Sequence, residues 1–230
     1  MSEKVTLKTN AIRFIGFYIV IVVLDLISSS IEELGVFRYF TKPSILITLL
    51  IFFVKNSSGL TKKINKYMLL AIIFSLMGDV FLLFDKIDSL FFIGGLASFL
   101  MAHIFYVLVF AKNRNKDRKR IVFLIFTLVY GVILFCVIQK SLKALFVPVL
   151  IYMIIILIMS NMAYLRKGVV PQLSYSLVFI GSLFFMLSDS LLAINMFYTT
   201  LFMGNILIMS TYAIAQFLIV YGVLNQIDTD

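Results

Sequence analysis

The chain has 230 residues, of which 62% are hydrophobic and only 13% are charged, and its formal net charge is +9. Charged residues make up roughly a quarter of a soluble globular protein, so this composition excludes a soluble domain. The basic residues lie between apolar segments and are not interleaved with aromatic residues, which argues against nucleic acid as a partner. We therefore expect a single integral membrane domain over residues 1–230.

Apolar segments recur along the whole chain, at lengths that match the thickness of a bilayer core. They predict an all-α fold: a polytopic membrane bundle of about eight transmembrane helices. The second segment is short and begins at Pro43, a residue that suits the first turn of a helix, so we expect it to be shifted or partly re-entrant. The predicted segments are 11–31, 43–55, 67–84, 90–111, 121–139, 144–164, 174–195 and 201–224.

The first segment follows Lys4, Lys8 and Arg13 and therefore resembles a signal peptide. The segment is long, however, and it contains Asp25. No clear A-x-A cleavage site comes after it. We expect an uncleaved first transmembrane helix.

The 20 Lys and Arg residues are divided unequally between the two sides of the predicted helices. Fifteen lie at the N-terminus and in the connections 55–66, 112–120 and 166–167, whereas five lie on the opposite side. Because positive charge marks the cytoplasmic side of a membrane protein, both termini are predicted to be cytoplasmic. The expected location is the cell membrane.

Two acidic segments resemble each other at an offset of 110 residues. FSLMGDVFLL (74–83) aligns without a gap with FFMLSDSLLA (184–193), which matches Asp79 with Asp189. Such a match is expected of a parallel repeat of four plus four helices. Chance similarity between apolar helices is also common, so the sequence leaves the repeat open.

Four ionisable side chains lie inside apolar segments: Asp25, Asp79, His103 and Asp189. An ionised Asp at a bilayer centre costs about 2.5–3.5 kcal/mol, so such residues face the bundle interior and usually mark a functional site. On the predicted topology the three carboxylates lie in the outer halves of their helices, where one cavity could contain them all. Asp25 could instead be a solvated residue near a helix end. A lone histidine is more often a hydrogen-bonding residue than a ligand.

Other polar residues have two interpretations each. Lys42 lies at the predicted outer interface, where its ammonium group could hold a phosphate or extend to water along its aliphatic stem. Tyr106, one turn after the histidine, shares its helix face. Asn205, Tyr212 and Gln216 lie on one face of the last segment, where they could line a cavity or join helices by hydrogen bonds.

Several hydrolase classes are not supported by the sequence. It contains no G-x-S-x-G elbow, no H-E-x-x-H motif and no Walker A motif. One histidine cannot supply a three-His zinc site, so a metal-dependent mechanism is not expected. We expect no metal and no cofactor.

A spaced set of segments points to one membrane protein family. It combines Gly-Asp in the third segment, A-H-x-x-Y in the fourth and S-D-S-L-L-A in the seventh. The set resembles the YhhN family of eight-helix membrane proteins, whose vertebrate members are lysoplasmalogenases, over about residues 40–222. The segments are TKPSILITLL (41–50), FSLMGDVFLL (74–83), GGLASFLMAHIFYV (94–107), GSLFFMLSDSLLAIN (181–195) and TYAIAQFLIVYG (211–222).

The resemblance implies hydrolysis of the vinyl ether bond of a lysoplasmalogen, a lysophospholipid, to a fatty aldehyde and a glycerophospho-alcohol. It implies that the catalytic residues are Asp79 and Asp189. Asp25, which the resemblance does not cover, is an additional candidate from its position in the first segment. The implied substrate-binding positions are Lys42, His103, Tyr106, Asn195, Tyr212 and Gln216.

Two carboxyl groups suit this chemistry. A vinyl ether hydrolyses by proton transfer to carbon, water captures the resulting oxocarbenium ion, and the hemiacetal collapses. One carboxyl group must therefore be protonated and the other ionised, as in the acid/base pairs of glycosidases. The sequence neighbours of Asp79 offer it no side-chain hydrogen bond, whereas Ser188 and Ser190 flank Asp189 and could favour its ionised form. Asp79 is therefore the preferred acid.

Two other functions are compatible with the sequence. Intramembrane Asp and His residues and a parallel repeat also suit a proton-coupled transporter, although no matching pair of helices broken by Gly or Pro is evident. A non-catalytic protein that binds membrane lipids is the third interpretation.

Overall fold

A computed structural model describes residues 3–116, 119 and 121–226. Within these ranges the chain forms no strand, and eight helices are long and apolar enough to cross a membrane. The predicted all-α membrane bundle is confirmed. The helices are α1 Glu3–Ser30, α2 Arg38–Asn56, α3 Lys62–Leu82, α4 Ser89–Lys112, α5 Ile121–Ile138, α6 Phe146–Tyr164, α7 Gln172–Phe197 and α8 Gly204–Leu224.

The second helix is longer than the sequence suggested. It begins at Arg38, directly after a 3-10 helix at Glu32–Phe37, and the two together form a span of 25 residues. Pro43 consequently lies inside α2 and not in its first turn. The expectation of a short or partly re-entrant segment is wrong, because Lys42 is buried in the bundle and does not mark the edge of the apolar region.

The two most extensive helix contacts are those of α3 with α4 and of α7 with α8. In the second pair the backbones approach closely at two glycines. A Cβ atom on Gly181 would lie 3.1 Å from the Ala215 carbonyl oxygen, and one on Gly222 would lie 3.0 Å from the Val178 backbone nitrogen. Small residues at such positions allow membrane helices to pack through dispersion contacts.

The remaining contacts close a ring of six helices, in the order α2, α3, α4, α6, α7 and α8. α4 packs against α6, and α8 packs against α1 and α2. α8 is the most buried of the eight helices and α5 the least. Within the ring, α4 and α6 connect the helix that carries Asp79 to the helix that carries Asp189 on one side, and α2 and α8 connect them on the other.

The helix connections divide the bundle into two ends. The α1–α2, α3–α4, α5–α6 and α7–α8 connections lie at the cavity end, so called because a large cavity opens there. The other three connections lie at the basic end, which contains most of the Lys and Arg residues. Hydrogen bonds join its connections, for example from the Asn115 backbone N–H to the Leu165 carbonyl at 2.7 Å. That the basic end is cytoplasmic stays a prediction.

Candidate functional site

A cavity of about 790 Å³ opens at the cavity end, within the usual size range of ligand pockets. Its wall comes from α1, α2, α3, α4, α7 and α8. Asp79 and Asp189 both line it, so the fold brings together two carboxyl groups that are 110 residues apart. Four further residues that the sequence points to also belong to the wall: Lys42, Asn195, Asn205 and Tyr212.

Asp79 is almost fully buried, with 2% of its side chain exposed. The Lys42 ammonium nitrogen lies 3.6 Å from its Oδ1 atom, and the Tyr212 hydroxyl donates to its Oδ2 atom at 2.9 Å. Lys42 is itself only 5% exposed, so it does not extend to the membrane interface. Two charges that are withdrawn from bulk water in this way compensate each other.

Asp189 has different surroundings and is 13% exposed. The Tyr152 hydroxyl donates to its Oδ2 atom at 2.5 Å. The His103 Nε2 atom lies 3.1 Å from the same carboxylate oxygen and 2.9 Å from the Tyr152 hydroxyl. These described contacts all involve Oδ2, and the residue as a whole lines the cavity.

Tyr152 is a site residue that the sequence reasoning missed. It follows Lys42 by 110 residues, the same offset that relates Asp79 to Asp189. Each of these partners contacts the aspartate of its own half, Lys42 at 3.6 Å and Tyr152 at 2.5 Å. The offset could therefore have identified Tyr152, although the four-plus-four repeat itself stays a prediction.

The serines beside Asp189 do not contact its carboxylate. Ser188 donates to the Ile208 carbonyl at 2.9 Å, and Ser190 donates to a backbone carbonyl of its own helix at 2.7 Å. The expectation that these hydroxyls favour an ionised Asp189 is wrong, because adjacent residues of a helix project in different directions. The reason for preferring Asp79 as the acid is lost with it.

Tyr106 and Gln216 form a hydrogen bond with each other in the core. The Tyr106 hydroxyl donates to the Gln216 Oε1 atom at 2.6 Å, and both side chains are fully buried. Neither belongs to the described cavity wall. These two residues are also 110 positions apart, and their bond joins α4 to α8. Their role in substrate binding stays a prediction.

Asp25 lies between α1 and α2 and is fully buried. Its Oδ1 atom accepts a hydrogen bond from the Thr41 hydroxyl at 2.9 Å, whereas Oδ2 has no hydrogen-bond partner among the described residues. Asp25 is not part of the described cavity wall, and its role in binding stays a prediction.

The cavity mouth is polar and carries both signs of charge. Asn195 accepts a hydrogen bond from the Leu201 backbone N–H at 2.9 Å, which ties the α7–α8 connection to the last turn of α7. The charged residues of the mouth are Arg38, Lys86, Glu32 and Asp85.

A second, apolar cavity of about 50 Å³ adjoins the first between α4, α6 and α7; we call it the apolar branch. Asp189 lines both the main cavity and this branch, whereas Asp79 lines only the main cavity. Tyr152 lines the branch. The rest of the branch wall is Leu82, Phe92, Leu96, Phe99, Val149, Leu192, Ala193, Met196 and Phe197.

The comparison with known families agrees with the resemblance. The model of the YhhN family matches residues 37–223, a range that contains both aspartates of the cavity and ends within α8. No curated protein and no solved structure matches the chain. Because the match covers most of the sequence, the chain belongs to the YhhN family.

Proposed function

We propose that this protein is a membrane-embedded hydrolase that cleaves the vinyl ether bond of a lysoplasmalogen-type lysophospholipid. The observation that carries the proposal is the presence of Asp79 and Asp189 in the wall of one open cavity. Intramembrane carboxyl groups are costly and usually functional. Membership of the YhhN family is consistent with a hydrolase.

The reaction needs only the two carboxyl groups and water. The acidic carboxyl group transfers its proton to the vinyl carbon on the chain side, which leaves an oxocarbenium ion at the carbon bonded to oxygen. Water attacks that carbon and loses a proton to the carboxylate, and a hemiacetal forms. In its collapse the first carboxylate takes the hydroxyl proton, and the second carboxylic acid protonates the leaving ether oxygen. Both groups regain their starting states.

The shape of the site supports an amphipathic substrate. Arg38 and Lys86 at the mouth could contact a phosphate, and the apolar branch has room for the beginning of a hydrocarbon chain. A lysolipid that enters this cavity from the cell membrane would place its vinyl ether between the polar mouth and the apolar branch.

The test is mass spectrometry of a lysolipid panel incubated with the purified protein. We expect aldehyde release from alkenyl lysolipids only. In D₂O one deuterium should appear on the carbon next to the aldehyde carbon, and in H₂¹⁸O the glycerophospho-alcohol should carry no label. The matched control is the saturated alkyl ether, which has no vinyl carbon to protonate. Recovery of intact alkenyl lysolipid, or cleavage at another bond, contradicts the proposal.

A proton-coupled transporter is the second candidate, because His103 contacts Asp189 at 3.1 Å beside an open cavity. Histidine and carboxylate pairs in membranes serve as proton relays. This function predicts solute uptake by proteoliposomes in response to a pH gradient, without turnover of lipid.

A further inference from the structure

We propose that the two aspartates have different roles: Asp189 is the acid that protonates the vinyl carbon, and Asp79 is the carboxylate that stabilises the cation and accepts the proton from water. This division rests on the proposed function. The difference in role arises from two residues that are 110 positions apart, like the aspartates themselves. Lys42 lies beside Asp79, and Tyr152 lies beside Asp189.

Charge is the first argument. Lys42 provides a positive charge 3.6 Å from Asp79, and Tyr212 donates a hydrogen bond to the same carboxylate. Both contacts stabilise an ionised group, and because Tyr152 donates a similar hydrogen bond to Asp189, the ammonium group of Lys42 is the difference between the two carboxyl groups. At the position of Lys42 in the other half, Tyr152 provides a neutral hydroxyl. The third group at Asp189, His103, carries a charge only when it is protonated. With a neutral His103, a proton on Asp189 removes no partner from a buried cation, whereas a proton on Asp79 would leave Lys42 without its counter-charge.

The location of the apolar branch is the second and independent argument. In a vinyl ether the carbon that takes the proton lies on the side of the hydrocarbon chain, and the carbon that water attacks is bonded to the ether oxygen. Asp189 lies where the main cavity meets the apolar branch, whereas Asp79 lines only the main cavity. A chain that enters the branch brings its protonated carbon to Asp189.

Tyr152 acts in this arrangement as a positioning residue. Its hydroxyl donates to Oδ2 of Asp189, and His103 Nε2 contacts the same oxygen. Oδ2 is thus an acceptor in the core, and no described hydrogen bond involves Oδ1, so we place the acidic proton on Oδ1. Tyr152 holds the carboxyl group in the orientation in which that proton can reach the substrate.

The direct test is infrared spectroscopy of the purified protein without substrate, because a protonated carboxyl group has a carbonyl stretch separate from that of a carboxylate. Asp25 is a third buried carboxyl group, so all spectra should be recorded in the Asp25→Asn background. We expect the band to disappear in Asp189→Asn and to persist in Asp79→Asn. Loss in Asp79→Asn, or persistence in Asp189→Asn, overturns the assignment.

A matched pair of variants tests Tyr152. Tyr152→Phe and Tyr212→Phe each remove one hydroxyl donor from one carboxyl group and keep the ring. We expect Tyr152→Phe to shift the infrared band of Asp189 and Tyr212→Phe to leave it in place. The opposite pattern overturns the proposal. Since the band is measured without turnover, this result is independent of whether lysoplasmalogen is the substrate.

Kinetics separate positioning from binding. Loss of a hydrogen bond to a charged or reacting carboxyl group should lower kcat of Tyr152→Phe about tenfold to a hundredfold. KM should change little, because the phenyl ring still lines the apolar branch. A raised KM with an unchanged kcat would make Tyr152 a binding residue and contradict its positioning role.

Discussion

Both ends of the bundle bury a cation, but they surround it differently. At the cavity end Lys42 faces a carboxylate, that of Asp79, next to an open cavity. At the basic end Arg166 is fully buried among neutral groups. Its Nη2 atom donates to Ser174 at 3.1 Å and to Gln226 at 2.8 Å.

The neutral surroundings of Arg166 give it a structural role, which is to link two parts of the basic end. Its guanidinium carbon lies 5.6 Å from the centre of the Phe110 ring, and no described carboxylate forms a salt bridge with it. Burial lowers the pKa of Arg166 to about 9, so the group is still protonated at neutral pH. Through Gln226 it joins the α6–α7 connection to the end of α8.

The polar groups of the two ends differ in their access to a cavity. At the basic end they are buried together: Asn113 donates to Gln226 at 3.4 Å, and the Nε and Nη1 atoms of Arg166 are buried without a described hydrogen-bond partner. At the cavity end the described contacts of Asp189 involve one carboxylate oxygen only, and the residue lines the open cavity. We therefore expect substitutions at the cavity end to affect turnover and those at the basic end to affect stability.

The largest effect is expected at the aspartates themselves. Asp79→Asn and Asp189→Asn should each lower aldehyde release by about 10²–10⁴-fold, the usual contribution of an acid or base. The measurement is the initial rate on protein that elutes as a single peak in size-exclusion chromatography. Arg166→Gln, at the other end, is the control and should keep the wild-type rate. Substantial turnover by either Asn variant is incompatible with two-carboxylate catalysis.

Lys42→Met should lower both turnover and stability. Removing one partner of a buried ion pair destabilises a protein by about 3–5 kcal/mol, because the remaining charge is unpaired. The double variant with Asp79→Asn should recover part of the unfolding free energy but none of the activity. Thermal unfolding in detergent and aldehyde release measure the two effects. Equal stability of the single and double variants would show that the two charges do not interact.

Arg166→Gln should reduce stability alone. The variant loses hydrogen bonds to Ser174 and Gln226, which together contribute about 1–3 kcal/mol. The expected result is a lower unfolding temperature with an unchanged kcat and KM. A change in KM would place part of the substrate site at the basic end.

Tyr106→Phe tests whether a residue implied by the family resemblance binds substrate. It removes the hydroxyl that donates to Gln216, a bond inside the core that should contribute about 0.5–1.5 kcal/mol. We expect a small loss of stability and unchanged kinetic constants. A clear rise in KM would support the predicted binding role instead.

The sequence predicted the features that depend on the bilayer alone. The lengths of the apolar runs gave eight helices, and the cost of a charge in hydrocarbon singled out Asp79 and Asp189. It could not place Lys42, because an apolar segment that begins after a lysine looks the same whether that lysine faces lipid headgroups or a carboxylate. Tyr152 is neutral and common in membranes, so only its offset from Lys42 indicated a site.

The contacts of the two residues that flank Asp189 in the sequence were also predicted wrongly. The hydroxyls of Ser188 and Ser190 were expected to reach Asp189, but helix geometry directs them to backbone carbonyls. Arg166 counted in the sequence only as a loop charge that defines topology, yet it is fully buried. Both cases depend on which helix packs against which, and that information is tertiary.

The smallest effect on turnover is expected for Asp25→Asn. Asp25 lies outside the described cavity wall, and its described hydrogen bond, from Thr41, joins α1 to α2. An asparagine oxygen can still accept that bond, and the amide group fills the same volume. Aldehyde release should therefore fall by less than about tenfold, which corresponds to 1.4 kcal/mol. A loss as large as that of Asp189→Asn would mean that the site uses three carboxyl groups, and that the cavity wall in the active state includes Asp25.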